Sequence, residues 1–357
     1  MIAENKVKTA VLGCTGLVGQ QFLKMLDGHP WFLTAAITAS KRSSGKVFGE
    51  AAEWAVGGRP SPSVLNMPVL ETSAEALLRA GVRVVFSALP AAAARGFERE
   101  LAAKGMFVFS NASAHRQDPD VPILIPEINP DHLDLVRRQK NPGGGFLVAN
   151  SNCSTSGLVM ALKPLQRFGI RSVSVTTFQS LSGAGRRGIA SLDILANVVP
   201  FIADEEGKME RETGKILGDL MDDGIRPAAF GVAASCCRVA TRFGHLESVQ
   251  VELEEDMTPE RAARSFASFL ALPQEIGLPT APELPLIVRL EPDRPQPFLD
   301  SDAGSPGRAA GMAVSIGRIR KQGRRLGFFL LVHNTVRGAA GTCLLSAELA
   351  RHRGMIR

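Results

Sequence analysis

Short apolar runs punctuate the first 150 residues, and stretches with helical spacing lie between them. Val7–Leu12, Leu33–Ala39, Val82–Leu89 and Met106–Ser110 read as buried strands. After the first of them, Val18, Phe22, Met25 and Leu26 recur at helical spacing, and Ala91–Ala103 reads as a further helix. The rhythm continues through Ile123–Ile125, a helix from Pro130 to about Gln139, and a strand at Phe146–Ala149. Asn141 to Gly145 is a turn-rich connector within it. Strand and helix in alternation predict an α/β unit, a mostly parallel sheet covered by helices.

Beyond residue 150 the pattern changes. A helix is expected from Cys153, with Leu158, Leu162 and Leu165 on one face. Ser172–Phe178 alternates like a half-exposed strand, and Gln179–Arg187 is a glycine-rich loop. Glu205–Asp222 is charged and reads as helical, as does Thr258–Leu270. Ala234–Val239, Ser248–Leu253, Met312–Ile319 and Leu326–Val332 read as strands, and a last helix covers about Gly338–Arg351. A mixed α+β second domain with an antiparallel sheet follows. The expected division is residues 1–150 with about 333–357 in one domain, and 151–332 in the other.

Length and composition agree: 357 residues favour two domains, and 45% hydrophobic with 21% charged residues suits a globular protein. The net charge of +6 is spread without a run of five like charges, so no nucleic-acid or membrane footprint is expected. A mild positive balance suits an anionic cofactor or a phosphorylated substrate. Cys14, Cys153, Cys236, Cys237 and Cys343 are scattered and form no Cys-x-x-Cys. That pattern argues against a disulfide framework or a metal site and points to a reducing, cytoplasmic compartment. No apolar stretch approaches 18 residues, so no membrane span is expected.

Two stretches carry candidate chemistry. Gly13-Cys14-Thr15-Gly16-Leu17-Val18-Gly19 lies between a strand and a helix, the setting in which a dinucleotide phosphate meets a helix N-terminus. Glycines at a tight turn are also compatible with a purely structural role. After the second strand come Ser40, Lys41, Arg42 and Ser43, with no acidic residue between Thr34 and Gly49. Basic and hydroxyl residues there favour the 2′-phosphate of NADP over NAD. The second stretch, Asn150–Gly157, places Cys153 at a strand-to-helix junction, where free N–H groups and the helix dipole favour thiolate. A small buried cysteine in a capped helix start is the alternative reading.

Four motifs stand in fixed order: Asn152-Cys153-Ser154; Gln179 to Gly185; Arg238-Val239-Ala240-Thr241-Arg242-Phe243-Gly244-His245; and Asn334 to Gly341. With them the chain resembles the aspartate-semialdehyde dehydrogenase family, in the branch found in archaea and fungi. The resemblance runs from the first glycine turn nearly to the C-terminus. It implies a Rossmann-like dinucleotide-binding domain and a second α+β catalytic and dimerisation domain. It also implies NADPH-dependent reduction of an aspartyl phosphate to the semialdehyde through a cysteine thioester, with inorganic phosphate released.

In that family pattern Cys153 is the nucleophile, His245 the acid/base and Gln179 the glutamine beside the cysteine. His115 is the runner-up base. Arg238 matches the residue for the substrate carboxylate, Arg116 helps hold phosphate, and Glu205 with Lys208 match the pair at the substrate amino group and phosphate. From spacing alone, that last pair reads as a solvated helix start. Ser182 and Gly183 match a cofactor-side loop and Asn334 the position near the nicotinamide. A homodimer or homotetramer is implied as well. Ala240 stands where the family often carries proline, a small loosening of the segment before His245. N-acetyl-glutamyl-phosphate reductase and malonyl-CoA reductase keep the same machinery, and a silent nucleotide-binding relative is the non-enzyme alternative. The joint presence of Cys153, Gln179, Arg238 and His245 speaks against the last.

Overall fold

The computed structural model describes residues 6–356; the outer domain limits expected at residues 1 and 357 lie outside that range. The chain resolves into two compact units. One holds the chain up to Leu124, His132–Asn150 and the stretch from Ala340; the other holds Ile125–Asp131 and Ser151–Ala339.

The first unit is built on six parallel strands: β1 (Val7–Leu12), β2 (Phe32–Ala39), β3 (Val69–Glu71), β4 (Val84–Ser87), β5 (Phe107–Ser110) and β6 (Phe146–Ala149). Their order is β3-β2-β1-β4-β5-β6. Strands β4, β5 and β6 are buried at every position, which explains why they read as unbroken apolar runs: both faces of this sheet are covered. Helix α1 (Leu17–Leu26) follows β1 and helix α2 (Ala91–Ala103) follows β4. The strand order reverses between β1 and β4, so both helices start at the crevice where such sheets take ligands.

Strand β3 has three residues and only one buried position, too little for a period to show. The helix expected from Pro130 is a 3-10 run, Pro130–Arg138. Ile123 contributes only an isolated bridge to Ala149. The last helix starts at Gly341, after a π-helical stretch at Val336–Ala340.

In the second unit the strands are β7 (Ile170–Gln179), β8 (Asp219–Met221), β9 (Gly224–Arg226), β10 (Gly231–Arg238), β11 (His245–Leu253), β12 (Leu286–Arg289), β13 (Val314–Gln322) and β14 (Arg325–Val332). Six of them form one sheet in the order β10-β7-β11-β14-β13-β12. The expectation of an antiparallel sheet needs correction, because β10 with β7 and β12 with β13 run parallel. Long connections rather than hairpins join these pairs, and only a long connection lets strands run the same way. Helices α3 (Cys153–Gln166), α4 (Glu205–Ile216) and α5 (Pro259–Ala267) belong to this unit. The charged stretch expected to be helical to Asp222 ends at Ile216, and the β8–β9 hairpin takes its remainder. Helix α3 packs on β7, β11, β13 and β14 and is buried almost all round, so its sequence is apolar on more than one face.

Candidate active site

Cys153 is the first residue of α3, and its helix is capped by Asn152. The Asn152 side-chain oxygen accepts from the N–H groups of Ser154 (2.9 Å) and Thr155 (3.1 Å). The other end of the same amide donates to Glu205 Oε1 at 2.7 Å, while the Asn152 backbone N–H donates to Glu212 Oε2 at 2.5 Å. The start of α3 is thus pinned by two carboxylates from α4, and Glu212 is a residue the sequence reading passed over.

The Cys153 Sγ lies 3.2 Å from His245 Nε2. His245 opens β11 and is fully buried. The Ser180 N–H donates to His245 Nδ1 at 3.0 Å. A nitrogen that accepts from an amide carries no proton, so the neutral ring bears its proton on Nε2 and points it at the sulfur. Burial first, then the charge of Arg238, push the His245 pKa down to about 3, so the ring is neutral at physiological pH. The pair is therefore thiol or thiolate against a neutral Nε2–H donor, not thiolate against imidazolium.

Arg238, at the end of β10, pairs in register with Gln179 on β7 and donates from Nη1 to Ser180 O at 2.8 Å. Its Nε is buried and has no partner among the described residues, and burial lowers its pKa. A buried guanidinium with a spare N–H is suited to an arriving anion. Gln179 donates to Glu205 Oε1 (3.0 Å) and reaches Thr177 Oγ1 (3.4 Å). Glu205 thus accepts from both Asn152 and Gln179, and its other oxygen lies 3.9 Å from Lys208 Nζ. The reading of Glu205 as a solvated helix start is corrected: it is 7% exposed, because Asn152 at the start of α3 and Gln179 on β7 supply its partners.

The loop after β7 closes over this group. A Cβ on Gly183 would fall 2.6 Å from Arg238 Nη1 and 3.2 Å from His245 Cε1, so a side chain there would have to displace the guanidinium. Ser182 Oγ receives the Asn334 side-chain N–H at 2.9 Å, and Asn334 Oδ1 accepts from the Gly244 N–H at 3.1 Å. Ser182 and Asn334, expected on the cofactor side, thus bond to Ser180 and Gly244, the residues that flank the histidine, and Gly183 lies against its ring.

The first unit carries a cleft of about 630 Å³ lined by Gly13, Thr15, Gly16, Ser40, Lys41 and Glu71, among others. Gly13 has φ of +71°, and a Cβ there would fall 2.7 Å from the Ala88 carbonyl oxygen. Helix α1 starts at Gly16 with no side-chain cap, which leaves its N–H groups for a ligand. The turn therefore fits a dinucleotide phosphate. The N–H groups in question belong to Leu17, Val18 and Gly19, the first residues of α1, and Leu17 and Gly19 are otherwise buried in packing. Arg42 and Ser43 do not line the cleft. The Ser43 and Ser44 N–H groups bond back to Ser40 O (2.8 and 3.2 Å), a tight turn on which Arg42 is exposed. Lys41 is the basic residue present, 3.7 Å from Glu71, an acid brought in by β3. Arg116 follows a 3-10 turn of this unit, is buried, and donates to Asn111 O at 3.0 Å. His115 is bonded to Asp118 at 2.7 Å. Among the described residues no cluster suits a metal ion, and no helix is long and apolar enough to cross a membrane.

A cysteine at a helix start, set against a neutral imidazole, and a glycine turn at a sheet's switch point mark the cysteine-dependent dehydrogenases. The comparisons narrow the class. The semialdehyde dehydrogenase NAD-binding domain matches residues 8–136, and the semialdehyde dehydrogenase dimerisation domain matches residues 162–337. The chain belongs to the semialdehyde dehydrogenase family. Aspartate-semialdehyde dehydrogenase of Methanothermobacter thermautotrophicus is 46% identical, over 96% of this chain and 98% of that one. Malonyl CoA reductase (NADP) of Metallosphaera sedula is 40% identical, over 98% of each. The crystal structure of aspartate semialdehyde dehydrogenase with NADP from Candida albicans superposes with a TM-score of 0.88 at 36% identity, covering 98% of this chain and 100% of that one.

Proposed function

We propose that this enzyme is an NADP-dependent aspartate-semialdehyde dehydrogenase. It would reduce L-4-aspartyl phosphate to L-aspartate 4-semialdehyde, a step toward lysine or diaminopimelate, threonine, methionine and isoleucine. The observation that carries this reading is the 3.2 Å contact between Cys153 Sγ and a buried, neutral His245 beside the unpartnered Arg238 Nε. Cys153 attacks the acyl carbon, phosphate leaves, and a thioester forms on sulfur. NADPH, when bound, supplies the hydride that takes the acyl group to the aldehyde level. The His245 Nε2–H holds the thiolate before attack and faces the charge that gathers on the acyl oxygen afterwards.

Arg238 takes the substrate carboxylate by its guanidinium fork. Glu205, fixed by Asn152 and Gln179, takes the ammonium, while Lys208 and Arg116 take phosphate. Gln179 acts by setting Glu205 as well as by lying beside the cysteine. Gly13, Thr15 and Gly16 hold the cofactor pyrophosphate, and Ser40 with Lys41 face its 2′-phosphate. The catalytic unit also forms a homodimer, or a tetramer built from dimers, through the segment where Leu192, Leu195, Val198 and Phe201 are exposed. Over the related malonyl-CoA chemistry, the match of Glu205, Lys208 and Arg238 to the residues for the substrate ammonium, phosphate and carboxylate favours the aspartyl substrate.

One assay tests the reading. Purified protein receives L-aspartate semialdehyde, phosphate and either NADP or NAD, and absorbance of the reduced cofactor is followed. Turnover with a preference for NADP is expected. No turnover with either cofactor removes the proposal, and a preference for NAD removes only the 2′-phosphate role of the Ser40-to-Ser43 stretch.

A further inference from the structure

Arg337 is the largest side chain with no exposure in the described structure, and the catalytic scheme does not use it. Its guanidinium meets Glu127 as a fork on a fork: Nη1 to Oε2 at 3.0 Å and Nη2 to Oε1 at 2.7 Å. Its Nε donates to Met312 O at 2.6 Å. Glu127 sits in Ile125–Asp131, a short stretch of the early chain that belongs to the catalytic unit. A buried ion pair of this kind seldom adds net stability over apolar packing of the same shape, so its worth lies in what it fixes.

What it fixes is the turn from His333 to Gly338. At one end of that turn Asn334 Oδ1 accepts from the Gly244 N–H, next to His245. At the other end Gly338 lies so close to the nucleophile that a Cβ there would fall 2.7 Å from Cys153 Cβ and 3.0 Å from Cys153 Cα. Between them, Arg337 O accepts from Ser156 Oγ, one turn into α3, at 3.1 Å. A single turn therefore abuts the nucleophile and holds the backbone N–H of Gly244, the residue before the histidine.

We propose that Arg337 and Glu127 are positioning residues that clamp this turn and so set the distance between Cys153 and His245. The proposal rests on reading Cys153 as the nucleophile. The clamp needs both the planar fork and the Nε contact, and lysine supplies neither.

The test compares Arg337→Lys and Glu127→Gln with the unaltered enzyme. Alkylation of Cys153 by iodoacetamide is followed by peptide mass spectrometry across pH, together with kcat, KM for NADP and thermal melting. The expected result is alkylation slowed at least tenfold at neutral pH with its profile moved to higher pH, kcat down at least tenfold, and KM for NADP within twofold. An unchanged alkylation profile with unchanged kcat overturns the proposal. Should either variant fail to fold, Arg337→Met/Glu127→Met removes both charges at similar volume. There the proposal expects a restored melting temperature with alkylation still slow, and recovery of both together overturns it. Turnover by Cys153→Ser would instead remove the nucleophile reading, because the alkylation profile reports on the clamp without any turnover.

Discussion

Ser180 governs His245 through a backbone group. Its N–H donates to Nδ1 and so fixes the ring proton on Nε2, facing the sulfur. A second proton on Nδ1 would have to displace that amide, which adds to the burial and to the Arg238 charge that already hold the pKa near 3. The expected outcome is a pH profile of kcat/KM with no histidine inflection near the ordinary value of 6.5. His245→Gln should lower kcat by about 10²–10⁴. An inflection near 6.5 that vanishes in this variant would mean that His245 titrates as an ordinary histidine. Much of the residue scale was legible in the sequence, because a thiol, an imidazole and an arginine each advertise their chemistry. Ser180, Glu212 and Arg337 did not show. Ser180 acts through an amide that every residue has, and Arg337 takes its meaning from Glu127, 210 positions away.

At the scale of elements, strand and helix periods marked most of the architecture, and the boundaries at the site were the part that slipped. His245 was expected in a segment following a strand, yet it begins β11, where Val332 of β14 pairs with it. Gly244, with φ of +86°, is the turn from which β11 begins. Pairing with a partner strand decides such ends, and one chain read alone does not carry that information. Helix α3 shows the reverse case. A capped start was readable, but the cap is Asn152 rather than the Ser and Thr neighbours of Cys153, and the same side chain also holds Glu205. Asn152→Ala should therefore do two things: lower stability by about 1 kcal/mol through the lost cap, measured by denaturant unfolding, and raise the KM for the semialdehyde. A loss of stability without any change in KM would separate Glu205 from substrate binding.

For the molecule as a whole, the same strand carries a second perturbed group. Glu247 lies two residues after His245, fully buried, with neither carboxylate oxygen bonded among the described residues. It pairs across the sheet with Thr177, whose other neighbour in register is Cys236 on β10, and Glu205 approaches from α4. Burial, then the Glu205 charge, raise its pKa well above 4.5. Below that ordinary value both folded and unfolded chains hold the proton. Above it the unfolded chain releases the proton and the folded one keeps it, so stability is lost as pH rises toward the folded pKa. His245 acts on the other side: the unfolded ring gains a proton below 6.5 and the folded one does not until about 3, so stability falls as pH drops between them. Melting temperature against pH should thus decline on both flanks, and Glu247→Gln should flatten the alkaline flank alone.

The exposed apolar segment gives a separate expectation at this scale. Leu192 and Phe201 are 91% and 67% exposed, and Leu192→Glu/Phe201→Glu should yield monomers in analytical ultracentrifugation. A variant that sediments like the parent would place the interface elsewhere.

The inserted stretch Ile125–Asp131 has a consequence for anyone who recombines this enzyme with a relative. A crossover at residue 150 looks natural, because the strand β6 ends there and α3 begins. It would nonetheless transplant a catalytic unit without its own Glu127, leaving the buried Arg337 to the mercy of a foreign loop. Chimeras should therefore carry residues 125–131 along with 151–339, as one inherited cassette in two pieces. The units that can be exchanged in this chain follow the buried ion pair, not the order of the motifs that a linear reading would cut between.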